Sequence, residues 1–181
     1  MRQTSLVACV AVGLVLLASA CGSGGGGGGG GGRYEETGLD ITFPIPGGFH
    51  IAHDISIAKT SGAKAVDQAA VAIDQDNLVI VQRYNLNTAI TSENLATFKG
   101  EVDKVIGQLA GKPVSGHEVE YGGLPGYEYV IDVAQPAKGQ SRLAVLFDGR
   151  VEYLVNCQST PGQRDKIEKG CRTVLDSIKH V

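Results

Sequence analysis

Cys21 is the residue of this sequence whose chemistry is clearest. It follows an apolar run, Leu6 to Ala20, that ends in the small residues Ser19 and Ala20. A cysteine thiolate is a good nucleophile, and the thioether that it forms is durable, so this residue suits a permanent covalent attachment. A membrane-spanning helix needs about 20 apolar residues, and this run falls short of that length. We therefore interpret residues 1–20 as a signal peptide rather than a permanent transmembrane anchor.

The residues before Cys21 resemble the bacterial lipobox, with Ala18 standing where leucine is most common. This resemblance implies that Cys21 receives a diacylglyceryl group, that the signal peptide is cut before it, and that the new amine is acylated, for example with palmitate. Two or three acyl chains anchor a protein stably, because each buried methylene group contributes about 0.8 kcal/mol. The implied location is the extracytoplasmic face of the cell membrane. An ordinary secretory peptide, cut after Ala20 with Cys21 left as a free thiol, is the alternative.

Residues 21–33 link this cysteine to the rest of the chain. After Gly22 and Ser23 come nine successive glycines, which have no side chains that could bury surface. We therefore predict a disordered linker, because glycine also loses the most backbone entropy when it is ordered. Random-coil scaling gives the tract a span of about 17 to 20 Å. A phosphate-binding loop is excluded, because no Lys-Ser or Lys-Thr pair follows the glycines.

Cys157 and Cys171 remain once Cys9 has left with the signal peptide and Cys21 has taken the lipid. An even pair of cysteines in an exported protein predicts a disulfide. A loop of this length, closed by a disulfide, contributes roughly 3 kcal/mol to stability in the chain-entropy model. A metal site is the rival interpretation, but neither cysteine has an adjacent histidine. We predict the disulfide and no metal.

Other polar residues support no catalytic or metal site. His50 and His53 are three residues apart, so on an extended segment they point to opposite faces, and we interpret them as exposed polar residues. Ser115 and His117 lack the Gly-x-Ser-x-Gly elbow of serine hydrolases. We therefore predict neither a cofactor nor enzymatic activity. The formal net charge is −3, and without a basic patch the sequence gives no support to nucleic-acid binding.

A candidate binding surface lies around the glycine-rich loop that spans residues 122–126. Tyrosine suits interfaces and ligand pockets, because it combines a large apolar ring with a polar tip. Tyr127 and Tyr129 share a face if they lie in one strand, and the loop beside them could shape a groove. The alternative is that these tyrosines pack under a helix. The candidate surface comprises Tyr121, Leu124, Tyr127 and Tyr129.

Strands are predicted where apolar residues alternate with polar ones or form short runs between turn residues. Asp74 to Asn77 has the composition of a turn between two Val- and Ile-rich strands, and we expect the second strand to be central. Asp148-Gly149 stands between two apolar runs and predicts another hairpin. The predicted strands cover residues 39–43, 69–73, 78–84, 114–121, 126–133, 142–147 and 151–157.

Two helices are predicted from apolar residues that recur at spacings of three and four. The first runs from Leu95 to Leu109, after a capping residue at Thr91 or Ser92 and before Gly111. The second begins near Thr160, because threonine can cap a helix and the proline after it suits the first helical position. Its apolar face comprises Ile167, Cys171, Val174, Leu175 and Ile178.

The order strands, helix, strands, helix predicts a single α+β domain over residues 34–181, with an antiparallel sheet covered by helices. The domain contains, in order, Leu39 to Phe49, Leu124-Pro125-Gly126-Tyr127-Glu128-Tyr129, Phe147-Asp148-Gly149, and a closing Cys157, Cys171 and Val174 to Ile178. These segments resemble those of actinobacterial LpqN-type and PsbP-like lipoproteins. The resemblance implies a curved antiparallel sheet between helices, in an accessory or protein-binding module without shared catalytic residues.

We accordingly expect a non-enzymatic lipoprotein that is anchored to the membrane through Cys21 and binds a partner protein or another envelope component. A carrier or chaperone for an apolar small molecule or lipid, held between sheet and helix, is the second hypothesis. An envelope enzyme is the third, and His117 is its best candidate residue.

The lipid anchor gives the first testable prediction. Cys21→Ala should release the protein from the membrane fraction, because the substitution removes the only thiol at the cleavage site. Cys9→Ala is the matched control and should leave the protein in the membrane fraction, since Cys9 lies inside the predicted signal peptide. Fractionation of expressing cells, followed by immunoblotting, measures both variants. Retention of Cys21→Ala in the membranes would contradict the lipoprotein interpretation.

Overall fold

A computed structural model describes residues 32–35, 38–53, 65–133 and 138–181 of the chain. The predicted signal peptide, Cys21 and the linker up to residue 31 lie outside these residues, so lipid attachment and the domain boundaries stay predictions. No helix within the described ranges is long and apolar enough to span a membrane.

The described residues form two antiparallel sheets and two helices, in agreement with the predicted α+β class. The main sheet has six strands in the order β3-β4-β5-β8-β7-β6, and a smaller sheet has three in the order β1-β2-β9. The main sheet is open and uncurled, whereas the sequence resemblance implied a curved sheet. The elements are β1 Arg33–Tyr34, β2 Ile41–Pro44, β3 His50–Ile51, β4 Asp67–Ala72, β5 Leu78–Ile90, α1 Leu95–Ala110, β6 His117–Tyr121, β7 Leu124–Val133, β8 Gly139–Ser159, α2 Arg164–Leu175 and β9 Lys179–His180.

The hairpin predicted around Asp74 to Asn77 is confirmed, and it joins β4 to β5. The Asp74 carboxylate closes the turn, because it accepts hydrogen bonds from the backbone N–H groups of Asp76 and Asn77, both at 2.9 Å. β5 lies between β4 and β8 in the sheet, so its predicted interior position is also confirmed. Its first four residues, Leu78 to Val81, are all buried.

The hairpin predicted at Asp148-Gly149 is wrong, because β8 runs through this dipeptide as one strand of 21 residues. Its first half pairs with β7, and its second half pairs with β5. Gly149 has a φ of 55° and lies opposite Ile90, next to an irregularity in the β5 register. A glycine in this conformation suits a β-bulge. The Asp148-Gly149 dipeptide therefore forms a bulge within β8 and does not reverse the direction of the chain.

The bulge changes which side chains of β8 point to each face of the sheet. Ala144 and Leu146 lie in the same apolar cluster as Tyr153 and Val155, so the facing residues change from even to odd numbers across Gly149. α2 packs on this face. α1 packs on the opposite face, against a cluster that includes the β7 and β8 side chains Tyr127, Tyr129, Ile131, Leu143, Val145 and Phe147.

Both helices lie close to their predicted positions. α1 ends, as predicted, at Gly111, which has a left-handed φ of 65°. Asn94, not Thr91 or Ser92, occupies the N-cap position, but its side chain forms no capping hydrogen bond. Its side-chain oxygen instead accepts a hydrogen bond from the backbone N–H of Thr91 at 2.8 Å. α2 begins at Arg164 after a 3₁₀ turn at Pro161–Gln163 and ends at Leu175. All residues of its predicted apolar face are buried, but Ile178 lies beyond the end of the helix, not on it.

The small sheet brings the two ends of the described chain together. β2 is its middle strand, with β1 on one side and β9 on the other, so residues 33–34 and 179–180 share one neighbour. The Tyr34 ring stacks on Phe43, with 5.2 Å between the ring centroids. The Arg33 side chain donates a hydrogen bond to the backbone carbonyl of Ser177 at 3.2 Å.

The predicted disulfide between Cys157 and Cys171 is confirmed. Cys157 lies near the end of β8, and Cys171 lies on the inner face of α2, with their Cα atoms 5.8 Å apart. Both side chains are buried in the cluster between α2 and the sheet. The bond therefore fixes α2 to β8, the strand that pairs with both β5 and β7.

Removal of this disulfide should lower the free energy of unfolding by about 3 kcal/mol, because the bond reduces the number of conformations that the unfolded chain can adopt. The double variant Cys157→Ala, Cys171→Ala tests this by urea unfolding, and reduced wild-type protein is the control, since it loses the bond without losing the sulfur atoms. A double variant as stable as the oxidised wild type would show that the bond has no stabilising role.

Candidate functional site

A group of polar side chains lies where β6, β7, β8 and α2 meet, and we call it the edge cluster. It consists of His117 and Tyr121 from β6, Glu128 from β7, Arg142 from β8 and Glu168 from α2. Residues that pair across an antiparallel sheet point to the same face. Since His117 lies opposite Glu128, the strand register places their side chains on the side of the sheet that α2 covers.

A tight turn holds β6 against β7. Gly122 and Gly123 both have positive φ values, 61° and 80°, which is the conformation of a two-residue hairpin turn. A side chain at Gly122 would place its Cβ 2.4 Å from the backbone carbonyl oxygen of Ile178. Glycine is therefore required there both by the turn and by the close approach of the chain before β9. The turn fixes Tyr121 opposite Leu124.

Arg142 connects the two carboxylates of the edge cluster. Its Nε and Nη2 atoms donate to the two oxygens of Glu168 at 3.0 and 2.6 Å, and its Nη1 atom donates to Glu128. The Glu128 side chain is only 5% exposed. It also accepts a hydrogen bond from the Tyr121 hydroxyl at 2.8 Å, and the Nε2 atom of His117 lies 3.4 Å away. The buried Glu128 carboxylate is thus contacted by three side chains, two from β6 and one from β8.

The electrostatics of the edge cluster keep Tyr121 neutral. Burial, the hydrogen bond to Glu128 and the negative charge of that carboxylate raise the pKa of Tyr121 to about 12. Burial would lower the pKa of Arg142, but its bonds to Glu168 and Glu128 outweigh this effect and raise the pKa. A neutral tyrosine and a fixed guanidinium are suited to hydrogen bonding and packing rather than to proton transfer near neutral pH.

α2 covers only part of this face of the sheet. It packs mainly on β2, β5 and β8, so the side chains of β6 and β7 on the same face are less covered. Val119 and Tyr121 are half-buried, Val130 is 49% exposed and the His117 side chain is 66% exposed. We call these four residues the uncovered patch. It combines apolar, aromatic and polar side chains beside a buried ion pair.

No protein-family model matches this sequence, and no curated protein matches it either. Solved structures do match. The solution structure of cyanobacterial PsbP from Synechocystis sp. PCC 6803 has a TM-score of 0.53 at 16% sequence identity, and the match covers 88% of this chain and 98% of that one. The fold is PsbP-like. The resemblance inferred from the sequence is thus confirmed at the level of the fold.

Two further solved structures match this chain. One comes from Bacteroides thetaiotaomicron, with a TM-score of 0.51 at 8% identity over 82% of this chain and 48% of that chain, so this chain spans about half the length of that protein. The other is LpqN, described as involved in cell envelope biogenesis of Mycobacterium tuberculosis, with a TM-score of 0.48 at 12% identity over 77% and 82% of the two chains.

The PsbP-like fold separates the four residues of the predicted binding surface. Only Tyr121 reaches the uncovered patch, while Leu124 is buried in the cluster under α2. Tyr127 and Tyr129 are buried under α1, which was the alternative interpretation. Their hydroxyls donate to the backbone carbonyl of Leu95 at 3.0 Å and to Asp103 at 2.8 Å. These two hydroxyls hold the helix on the sheet instead of contacting solvent.

The residues of the serine hydrolase hypothesis are also placed apart. Ser115 accepts a hydrogen bond from Lys99 of α1 at 2.9 Å, whereas His117 contacts Glu128 on the α2 side of the sheet. His50 and His53 are both exposed. Within the described parts of the chain, no group of three His, Cys, Asp or Glu side chains is placed to hold a metal ion.

Sequence reasoning missed the edge cluster and a second polar feature inside β8. Glu152 is fully buried, and neither of its carboxylate oxygens has a hydrogen-bond partner; the same is true of the side-chain oxygen of Asn156. Gln82 lies opposite Leu154, between these two residues on the same face. The available signal was a charged residue inside an apolar strand, as at Glu128 and Glu152, because such a residue needs a partner or a shifted pKa.

Burial raises the pKa of Glu152 from 4.5 to about 8, and this makes stability depend on pH. Between these two values the folded protein keeps a proton that the unfolded chain loses. The free energy of unfolding should therefore fall as pH rises from about 4.5 to 8.

Glu152→Gln should remove this fall, because an amide has nearly the same shape and does not ionise in this range. Urea unfolding at pH 5 and pH 8 measures the effect, and Glu120→Gln on exposed β6 is the matched control. A fall in stability with pH that persists unchanged in Glu152→Gln would show that Glu152 is not its source.

Proposed function

We propose that this protein is a non-enzymatic, lipid-anchored component of the bacterial cell envelope that binds a partner protein through the uncovered patch. The observation that carries this proposal is the pair of half-buried β6 side chains Val119 and Tyr121, with the 49% exposed Val130 of β7 on the same sheet face, which α2 leaves partly open. Tyrosine is enriched at the centres of protein interfaces, where its ring is buried and its hydroxyl keeps a hydrogen bond.

The edge cluster supports binding because it holds Tyr121 in one position. The tyrosine hydroxyl donates to Glu128, which is held by Arg142, which in turn is held by Glu168 of α2. A side chain that is already fixed loses little conformational entropy when a partner covers it. The patch is therefore organised before binding.

Photo-crosslinking in cells tests this proposal. A photoreactive amino acid at Val130 should give a reproducible adduct with one envelope protein, because this residue is the most exposed apolar side chain of the uncovered patch. Val66, which is 54% exposed just before β4 near the other edge of the sheet, is the matched control and should not give the same adduct. Tyr121→Ala in the Val130 background should reduce the yield severalfold.

The outcome that would contradict the proposal is equally clear. Adducts that are the same at Val130 and Val66, or no reproducible adduct at Val130 in intact cells, would exclude the patch as a protein-binding site.

A second candidate function, carriage of a lipid or an otherwise apolar small molecule that carries a hydrogen-bond donor, is favoured by one observation. Glu152 and Asn156 present buried oxygen atoms without hydrogen-bond partners, and such atoms are stabilised when a ligand supplies donors. Native mass spectrometry of the exported lipoprotein should then show an additional mass that is lost on denaturation, and Glu152→Gln should lower the bound fraction. A spectrum with only the lipidated chain would exclude this candidate.

A further inference from the structure

β6 is an edge strand of the main sheet, and its outer side is open. The sheet order ends at β6, which pairs with β7 on one side only. Within the part of the chain that the structure describes, no other strand pairs with it. An open edge presents unpaired backbone N–H and C=O groups, which are a template for a strand from another chain.

The hairpin geometry identifies the backbone groups that face outward. In a hairpin with a two-residue turn, the residues that flank the turn form a hydrogen-bonded pair, and hydrogen-bonded and non-hydrogen-bonded pairs then alternate. Tyr121, Val119 and His117 therefore direct their backbone groups to β7. The backbone groups of Glu118 and Glu120 face the open edge. Pro125 lies opposite Glu120 and has no N–H to donate, which agrees with this assignment.

The side chains of the same two residues carry the charge of this edge. Glu118 and Glu120 are both exposed, and they lie on one face, about 7 Å apart along the strand. Neither forms an ion pair with another described residue. The other face of β6 presents Val119 and Tyr121 to the uncovered patch. The edge thus alternates between acidic and apolar positions.

We propose that the open edge of β6 binds an extended strand of the partner protein in which basic and apolar residues alternate. This inference rests on the proposed function and names the segment of the partner that is recognised. Lysine or arginine side chains of the added strand would lie beside Glu118 and Glu120, and the residue between them would pack next to Val119. Opposite charges on neighbouring strands stabilise the pairing, and the backbone hydrogen bonds supply affinity.

The charge pattern also decides against a second copy of this chain as the occupant. Two β6 edges that paired with each other would bring glutamates beside glutamates on the same face. Like charges in neighbouring positions of a sheet are destabilising, and charged residues on an edge protect against self-association. A strand with basic residues avoids this repulsion, because its charges are opposite to those of Glu118 and Glu120.

Binding of designed peptides to the full lipoprotein in detergent micelles tests the inference. The probe is a fluorescent peptide of alternating lysine and valine, and its counterpart has glutamate in place of lysine. We expect the lysine peptide to bind roughly tenfold or more tightly than the glutamate peptide. A third peptide, with the lysine sequence and methylated backbone nitrogens at alternate residues, should lose most of the binding, because it cannot form the strand ladder.

Two variants of Glu120 separate the backbone contribution from the charge. Glu120→Pro removes an outward N–H without removing a hydrogen bond to β7, and proline is tolerated in this position on edge strands. It should abolish binding, whereas Glu120→Gln, which keeps the N–H, should weaken binding only severalfold. Equal binding of the methylated and unmethylated lysine peptides, or of the lysine and glutamate peptides, would overturn the inference whether or not Glu120→Pro folds.

The Val130 crosslink distinguishes failure of this inference from failure of the proposed function. Loss of the adduct in Glu120→Pro, with the adduct retained in Glu120→Gln, supports both. An adduct that is unchanged in a folded Glu120→Pro variant would overturn the strand-addition model while leaving the uncovered patch as a binding site. Absence of the adduct in the parent protein would overturn the proposed function itself.

Discussion

The two-sided pairing of β8 is the constraint on which the rest of this structure depends. One half of this strand pairs with β7 and the other half with β5, so a single segment of 21 residues joins the two parts of the main sheet. Across the bulge at Gly149, the side chains that face α2 change from even-numbered to odd-numbered residues, so both halves of β8 contribute apolar side chains to the clusters under α1 and α2. α2 is bonded covalently to the same strand through Cys157. Arg142, near the beginning of β8, connects α2 to β7 through Glu168 and Glu128.

Local residue patterns were sufficient to predict most of the helices and strands. The one hairpin that was predicted wrongly is explained by strand pairing in the folded sheet. The apolar spacing of α1, the turn at Asp74 to Asn77 and the cysteine pair all act within or between neighbouring segments. Asp148-Gly149 has the composition of a hairpin turn, but both flanking runs find partners elsewhere, in β7 and β5. A strand ladder between distant segments leaves no signature in the local residue order, so the dipeptide forms a bulge.

The same distinction applies to the candidate site. Tyrosines at positions 127 and 129 were correctly expected to share a face, but the sequence does not show which helix covers that face. The edge cluster joins residues that are up to 51 positions apart, from His117 to Glu168, and only the sheet register brings them together. A glutamate inside an apolar strand was the visible sign at Glu128. The identity of its partner required the fold, which the PsbP-like neighbours share without sharing the sequence.

For the N-terminal tether that we propose, the small sheet has a mechanical consequence. Any pull through the linker enters the domain at Gly32, whose carbonyl accepts a hydrogen bond from Ile45 at 2.8 Å, and passes to the two residues of β1. So short a strand resists force weakly, and it would detach from β2 before load reached the main sheet. β2 would resist the force next, because it also pairs with β9 on its other side. A tethered domain built in this way yields first at its entry point, while the surface formed by β6 and β7 stays folded under tension.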